Sequence, residues 1–283
     1  MEIIKGGKIA KKILSKLKSE VANLPFAPVL CDVLIGDDAV ALSYVKIKAK
    51  RAEETGLKFE LVQLPVGVST ADVLSKIKSI QTNPHLAGVI VQLPLPINLD
   101  RKQILNSIDP RLDVDCLGDA NAESFYAGKS AMLPPTAAAV IEILEELNLD
   151  LKSKEILVVG QGDLVGRPVT FLLKQKGYNK IKTADGSTNL ETLLPQADVV
   201  ISGAGQPRLI KGDWIKQGVI LIDCGTSESA GSIVGDIDSQ SVAGKASFLA
   251  PVPGGVGPIT VAKLLENVVN NSKGENVKIK SAI

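Results

Sequence analysis

The feature that most constrains the fold is an apolar run followed at once by three closely spaced glycines. The run, Lys154–Val159, is rich in β-branched residues and predicts a strand that is buried on both faces. Gly160, Gly162 and Gly166 follow, and apolar residues at helical spacing begin at Val169. In a strand–turn–helix unit, backbone N–H groups can approach a pyrophosphate and the helix N-terminus adds partial positive charge. The spacing is GxGxxxG and not the commoner GxGxxG, so the stretch fits a dinucleotide cradle and also a merely tight turn.

The composition indicates a folded globular protein and excludes several functional classes. Of 283 residues, 45% are hydrophobic and 22% are charged, and the formal net charge of +1 argues against both disorder and nucleic-acid binding. Three scattered cysteines and one histidine argue against a Cys/His metal site, so we expect no metal. We find neither a signal-peptide pattern nor an apolar run of about 18 residues, and therefore expect a cytoplasmic protein that contacts no membrane.

The first 120 residues alternate between helical and extended patterns. Helices are predicted at Lys8–Leu24, Ala39–Glu54, Ser69–Gln81 and Arg101–Ser107, and strands at Val29–Ile35, Leu57–Leu64 and Gly88–Gln92. This order predicts parallel strands joined by right-handed crossovers. From Asp115 to Pro134 the pattern is irregular.

A second strand–helix series follows a helix predicted at Thr136–Leu147. Its strands are predicted at Lys154–Val159, Ile181–Thr183, Val199–Ile201 and Val219–Ile222, with a small extra strand at Ser232–Val234. A last helix, Thr260–Asn270, is expected to return to the first domain.

We therefore predict an α/β fold with two domains. The first is an N-terminal α/β domain (1–120, with the returning helix in 258–283), and the second is a Rossmann-type dinucleotide-binding domain (121–257). The polar tail after Ser272 is expected to be loosely held.

Three places in the first domain carry side chains suited to chemistry. Tyr44 and Lys48 share one face of a predicted helix, although Tyr44 can instead pack and Lys48 can be solvated. Gln92 ends a predicted strand, where open α/β sheets bind ligands, but a polar strand cap also fits. Asp113 and Asp115 alternate along the chain, so only one can face a given pocket. Either of them can also be a turn or cap residue.

Five short motifs occur in order along the chain. They are YxxxKxK at Tyr44–Lys50, GVIVQLPLP at Gly88–Pro96, DVD at Asp113–Asp115, VGD at Val234–Asp236 and PVPGGVGPIT at Pro251–Thr260. Together they resemble the bifunctional methylenetetrahydrofolate dehydrogenase/methenyltetrahydrofolate cyclohydrolase family over about residues 3–270. The QLPLP and PVPGGVGP blocks are the most specific part of the resemblance.

The resemblance implies two reactions on one folate substrate. The first oxidises 5,10-methylenetetrahydrofolate to 5,10-methenyltetrahydrofolate with a nicotinamide cofactor, and the second hydrolyses that product to 10-formyltetrahydrofolate. It implies that Lys48 is the essential group of the hydrolysis, that Gln92 holds and tunes it, and that Tyr44 stacks on the folate. Asp115 is expected to accept hydrogen bonds from the pterin's amino-pyrimidine edge. The resemblance also implies that the substrate cleft is lined by Pro253, Gly254 and Gly255.

The dinucleotide edge departs from the family's usual pattern. The residues expected to bind the cofactor are Gly160, Gln161, Gly162, Gly166, Asp185, Gly186 and Thr226. The family commonly uses NADP, but a carboxylate at Asp185 suits a ribose hydroxyl and repels a ribose phosphate. We therefore expect NAD or dual use, with strict NADP preference as the alternative if Arg167, Lys182, Ser187 and Thr188 supply phosphate contacts.

Another departure lies beside Asp115, where Cys116 replaces the glycine of the family's DVDG motif. The loop after it also differs, which leaves a second hypothesis: a folate- and dinucleotide-binding protein that has lost one activity. Members of the family usually pair through the second domain. We expect a homodimer as well, with Ser232–Val234 as an edge strand at the contact.

Overall fold

The structure is a computed structural model that describes residues 1–229 and 232–273. Its strands are β1 (Glu2–Ile3), β2 (Val29–Ile35), β3 (Lys58–Leu64), β4 (Leu86–Val91), β5 (Ile156–Val159), β6 (Ile181–Ala184), β7 (Val199–Ser202), β8 (Ile220–Asp223), β9 (Ser227–Ser229), β10 (Ser232–Val234) and β11 (Phe248–Ala250). Its α-helices are α1 (Gly6–Val21), α2 (Ala39–Thr55), α3 (Thr70–Ile80), α4 (Arg101–Asn106), α5 (Asp119–Tyr126), α6 (Pro135–Glu146), α7 (Gly166–Gln175), α8 (Leu190–Leu193) and α9 (Val256–Lys273).

The described residues divide into two compact units, each with its own parallel sheet. The small-sheet unit comprises Lys12–Pro134 and residues 261–273, and the large-sheet unit comprises Met1–Lys11 and Pro135–Thr260. The predicted two-domain α/β fold is confirmed. The sequence placed the corresponding domain limits at residues 120 and 257. Most of the polar tail predicted after Ser272 lies outside the described residues.

The small-sheet unit is built on three parallel strands in the order β3-β2-β4. Every residue of β2 and β4 is buried, whereas β3 alternates between exposed and partly buried positions at the sheet edge. α2 begins after Asp38, whose carboxylate accepts a hydrogen bond from Ala41 N at 2.7 Å. Because parallel strands all end at the same edge, this fold brings the residue after β4 close to the end of β2.

The large-sheet unit contains six parallel strands in the order β1-β11-β8-β7-β5-β6. The chain runs from β5 outward to β6 and then returns to β7 on the other side of β5. The order therefore reverses between β5 and β7, and ligands of open α/β sheets bind outside such a reversal. A separate antiparallel hairpin joins β9 to β10, as the sequence predicted for Ser232–Val234.

Most predicted elements are present with ends displaced by a few residues, but the prediction of an irregular stretch after Asp115 was wrong in part. It contains α5, eight residues long, which begins after Gly118 without a side-chain cap. A short helix without a capping side chain gives little sequence signal. The short strands β1 and β11 were also missed, since two or three residues cannot display a period.

The returning helix is confirmed, because the part of α9 beyond residue 260 belongs to the small-sheet unit. Asn267 Nδ2 donates to Val114 O and to Leu133 O, both at 2.9 Å. No helix among the described residues is both long enough and apolar enough to cross a membrane.

Candidate active site

The small-sheet unit buries one lysine among polar groups from three elements. Lys48, on α2, is only 7% exposed. Its Nζ donates to Gln92 Oε1 at 2.8 Å and lies 2.5 Å from Asp32 Oδ2. Gln92 is the residue after β4, and its Nε2 donates to Leu93 O at 3.0 Å, which orients the amide oxygen toward the lysine. The structure therefore brings together Lys48 and Gln92, two of the candidate residues chosen from the sequence.

Asp32 is the member of this cluster that the sequence reasoning missed. It lies in the middle of β2 and is 0% exposed. Burial raises the pKa of its carboxyl, and the neighbouring Lys48 opposes that shift. The sequence did hold a signal, since Asp32 is the one charged residue in an otherwise apolar strand, VLCDVLI. A charge in a fully buried strand needs a partner, and here the partner is Lys48.

The two aspartates of the DVD motif have different environments. Asp113 is 2% exposed, and its carboxylate accepts from Gly118 N at 2.8 Å and Asn121 Nδ2 at 3.1 Å. Asp113 therefore fixes the loop that leads into α5. Asp115 is partly buried. Burial raises the pKa of Asp115 to about 6, the charge of Lys48 opposes the rise, and Asp113 and Asp32 add to it. Asp115 is therefore electrostatically coupled to the lysine site.

Tyr44 and Cys116 are two further residues of the small-sheet unit that the sequence analysis singled out. Tyr44 lies one helical turn before Lys48 on α2 and is partly buried, which raises the pKa of its hydroxyl. Cys116 adopts a left-handed backbone with φ of 59°. This conformation explains why a glycine suits the position. Burial raises the pKa of the Cys116 thiol, so it is a poor nucleophile.

The glycine turn of the large-sheet unit has the close approach expected of a phosphate cradle. Gly160 has φ of 85°, and a Cβ there would overlap Gly203 O, at the start of the loop after β7. A Cβ at Gly166 would overlap Gly160 O, whereas one at Gly162 would meet nothing within 4 Å. Gly160 and Gly166 therefore bring strand, turn and α7 together at the sheet reversal. Gly162 leaves open space above the turn, which fits a dinucleotide phosphate.

Two buried carboxylates fix the neighbouring loops at the same sheet edge. Asp236 accepts from Ser202 Oγ and Ala204 N, both at 2.7 Å, and from Gln206 N at 2.9 Å. Asp223, at the end of β8, accepts from three backbone N–H groups at 2.9–3.0 Å. Burial raises the pKa of Asp223 to about 6 despite these donors. The loop after β7 is thus held by a side chain 30 to 34 residues further along the chain.

The other predicted cofactor residues follow strands of the same sheet. Gln161 Nε2 donates to Gly160 O at 2.7 Å, so this side chain closes on its own turn. Asp185 and Gly186 lie exposed after β6, and Thr226 is exposed after β8. Since these strands are parallel, all of these residues lie at one edge of the sheet.

The PVPGGVGP loop belongs to the large-sheet unit. Pro253 and Gly254 are exposed, and Gly254 O accepts from Gly6 N at 2.9 Å. Gly255 is buried, and a Cβ there would lie 2.6 Å from Pro251 O. The glycines therefore permit a tight turn that receives the start of α1.

The described residues hold no cluster of three or more His, Cys, Asp or Glu side chains suited to a metal ion. His85, the one histidine of the sequence, packs against Phe26 with ring centroids 4.9 Å apart. The polar groups that surround Lys48 are the amide of Gln92 and the carboxylate of Asp32.

Two family models match this chain, one for each predicted domain. The catalytic domain of tetrahydrofolate dehydrogenase/cyclohydrolase matches residues 4–115, and the NAD(P)-binding domain of the same family matches residues 134–276. The chain belongs to the tetrahydrofolate dehydrogenase/cyclohydrolase family. It is an enzyme, and its glycine turn lies within the part that the family assigns to NAD(P) binding. The resemblance noted in the sequence is confirmed.

Relatives within the tetrahydrofolate dehydrogenase/cyclohydrolase family match the chain over nearly its whole length. "Bifunctional protein FolD" of Lactobacillus delbrueckii subsp. bulgaricus is 38% identical over 278 residues, which cover 97% of this chain and 98% of the relative. The solved FolD from Campylobacter jejuni is 34% identical with a TM-score of 0.90, covering 96% of this chain and 99% of that one. FolD from Trypanosoma brucei, solved with NADP and an inhibitor, is 32% identical with a TM-score of 0.91 and covers 98% of both chains.

Proposed function

We propose that Lys48, Gln92, Tyr44 and Asp115 form the folate site of a methylenetetrahydrofolate dehydrogenase and methenyltetrahydrofolate cyclohydrolase. The observation that carries this proposal is the buried contact of Lys48 Nζ with Gln92 Oε1 at 2.8 Å. A buried amine held by an amide oxygen keeps a defined direction, which proton transfer requires. The comparisons give no support to the alternative of a lost activity.

In the hydrolysis, Lys48 handles the proton of the attacking water. The water O–H bond breaks, its proton passes to the free amine Nζ, and the oxygen bonds to the cationic methenyl carbon. The bond between that carbon and folate N5 then breaks as N5 takes a proton from the Lys48 ammonium. The remaining C–O–H becomes the formyl carbonyl and loses its proton to solvent. One proton is released overall, and Lys48 returns to its starting form.

Folate recognition falls to Asp115 and Tyr44. An ionised Asp115 offers two acceptor oxygens to the N–H donors of the amino-pyrimidine edge. Tyr44, one turn from Lys48, offers an aromatic face for stacking on the folate. Pro253, Gly254 and Gly255 are proposed to contact the substrate as well.

The dehydrogenation depends on the alignment of the folate with the cofactor more than on proton transfer. A bound nicotinamide ring would supply the hydride acceptor for the methylene carbon of the folate. Gly160, Gly162 and Gly166 are proposed to hold the pyrophosphate at the N-terminus of α7, a helix of ten residues. The remaining contacts are proposed for Gln161, Asp185, Gly186 and Thr226. A hydride transfer needs alignment at near-attack distance and no protein proton donor.

NAD use, or dual use, is proposed on the surroundings of Asp185. Its carboxylate accepts from Ser187 Oγ at 2.7 Å and from Thr188 Oγ1 at 3.1 Å. These hydrogen bonds hold the pKa of Asp185 below its usual range, so the group is ionised at neutral pH. The two hydroxyls that the sequence offered as phosphate donors are therefore bonded to a carboxylate. Arg167, another candidate, pairs with Asp163.

The central test follows the oxidation of methylenetetrahydrofolate by absorbance with NAD and NADP in turn, and the hydrolysis of methenyltetrahydrofolate separately. We expect both activities in the purified protein. Loss of either one would favour the alternative, a binding protein that kept the fold. Inactivity in both assays would overturn the proposed function.

A homodimer is proposed through the β9–β10 hairpin. This two-stranded sheet pairs with no other strand of the described residues, and edge strands need covering. Light scattering at micromolar concentration should give twice the chain mass. Ile233→Lys, on β10, should give a monomer, and a monomeric parent would contradict the proposal.

A cytoplasmic location is also proposed. Cys31, Cys116 and Cys224 are free thiols, as expected in a reducing compartment. Fractionation of the source cells with a specific antibody would test it, and recovery in the membrane pellet would contradict it.

A further inference from the structure

Asp32 has no evident structural reason to be a carboxylate. It lies inside β2, a fully buried strand that is otherwise apolar, and is itself 0% exposed. An apolar residue would stabilise such a position better, since an ion pair in the interior seldom offsets the cost of removing both charges from water. Neither Oδ1 nor Oδ2 has a hydrogen-bond partner among residues 1–229 and 232–273, and Oδ2 forms an ion pair with Lys48 Nζ. The carboxylate is therefore directed to the lysine and contributes little elsewhere.

The geometry at Nζ limits what Lys48 can do. A lysine nitrogen has three positions beyond its bond to carbon, each holding an N–H or a lone pair. Gln92 Oε1 accepts from one of them at 2.8 Å, and the ion pair with Asp32 Oδ2 at 2.5 Å attracts the nitrogen toward β2. Two partners from different strands thus restrict the direction in which Nζ can point.

We propose that Asp32 is a positioning residue for the hydrolysis, which together with Gln92 fixes the direction in which Lys48 Nζ exchanges a proton. The inference rests on the role proposed for Lys48. It goes beyond the family motif, which implied Lys48, Gln92, Tyr44 and Asp115. Without Asp32, the amine can rotate and present an N–H where the lone pair is needed, so proton transfer becomes rare although the substrate still binds.

Asp32 also contributes half of the negative charge near the amine. The charged or titratable groups that face Lys48 are Asp32 from β2, Asp115 from the loop after α4, and Tyr44 on its own helix. Asp32 is the carboxylate in ion-pair contact with Nζ, so its removal frees the amine to move.

The experiment compares two substitutions at one position. Asp32→Asn keeps an oxygen acceptor and removes the charge, whereas Asp32→Val removes both and suits a buried strand. The kcat of hydrolysis should fall about tenfold in Asp32→Asn and a further tenfold or more in Asp32→Val, with KM for the methenyl substrate changed less than about twofold.

The matched control is Cys31→Ala, which removes a 0%-exposed side chain from the same strand, next to Asp32. It should keep the parent kcat and KM. Dinucleotide affinity and circular dichroism report folding, and the Asp32→Asn variant alone serves as the test if Asp32→Val does not fold. A parent-like kcat in the Asp32 variants, or a KM that rises as much as kcat falls, would overturn the inference. If Lys48→Met is inactive in that case, the proposed function survives, whereas an active Lys48→Met would remove the proposed role of Lys48 itself.

Discussion

Lys48 Nζ and Gln92 Oε1 lie 2.8 Å apart, although the two residues are separated by 44 positions in the chain. One is on α2 and the other follows β4, and the parallel order β3-β2-β4 brings them together. The contact is sheltered, since Lys48 is 7% exposed. A hydrogen bond between a charged donor and an amide oxygen in such a place contributes about 1.5–3 kcal/mol. The pair is thus rigid enough to direct a proton.

Replacement of Lys48 by methionine should abolish the hydrolysis of methenyltetrahydrofolate and leave dinucleotide affinity unchanged. Methionine fills similar space but cannot take a proton from water. The measurement is the decay of methenyl absorbance, together with a dinucleotide titration. Lys50→Met is the control, since Lys50 is exposed on the same helix and should keep parent activity. Hydrolysis by Lys48→Met at the parent rate would contradict the role.

Folate affinity should increase as the pH rises through about 6. Burial raises the pKa of Asp115 to about 6, so below that pH its carboxyl is protonated and loses acceptor capacity. At pH 7.5, Asp115→Asn should weaken folate binding by on the order of 1.5–3 kcal/mol, a factor of about 10–150 in Kd. In the Asp115→Asn variant, folate affinity should no longer increase near pH 6.

Isothermal titration of folate between pH 5 and pH 8 measures both effects. Asp119→Asn is the control, because that carboxylate is exposed and its hydrogen bonds to Asn106 and Lys102 hold its pKa low. An equal Kd for the parent and Asp115→Asn at pH 7.5 would exclude Asp115 from folate binding.

Gly166→Ala should destabilise the large-sheet unit and abolish dinucleotide binding. The new Cβ would overlap Gly160 O, so strand and helix must separate, at a cost of about 3 kcal/mol or more. Gly162→Ala provides the contrast, because its Cβ meets nothing within 4 Å and the fold should persist. If that open space holds the pyrophosphate, Gly162→Ala should still reduce dinucleotide affinity. Thermal melts with and without dinucleotide separate the two effects, and equal melting temperatures for Gly166→Ala and parent would refute the close-packing argument.

Asp185→Ser should raise the catalytic efficiency with NADP relative to NAD. The substitution removes a charge that repels the ribose phosphate and releases Ser187 and Thr188 as donors. Steady-state kinetics with both cofactors give the ratio, and Glu191→Ser, at an exposed acidic residue of α8, controls for net charge. The NAD hypothesis fails if the parent favours NADP more than tenfold and Asp185→Ser leaves that ratio unmoved.

Local patterns in the sequence were sufficient for much of the fold. The strand β2 has the predicted bounds, Val29–Ile35. A parallel strand that is buried on both faces consists almost entirely of apolar residues, and such a run can be recognised in the sequence. The turn at Gly160–Gly166 is equally local, since only glycine permits that approach of backbone to backbone. Tyr44 and Lys48 share a helix face through spacing alone. The motif resemblance identified the family and implied the roles of Gln92 and Asp115.

Only the tertiary structure decided which polar residues meet. Nothing local distinguishes Asp113 from Asp115, and their roles differ because Gly118 and Asn121 enclose the first. Asp32 gains its partner from a helix 16 residues further along, across the sheet face. Periodicity describes which face of an element is apolar. The pairing of two buried charges depends on how separate elements pack, and no short window of the chain contains that information.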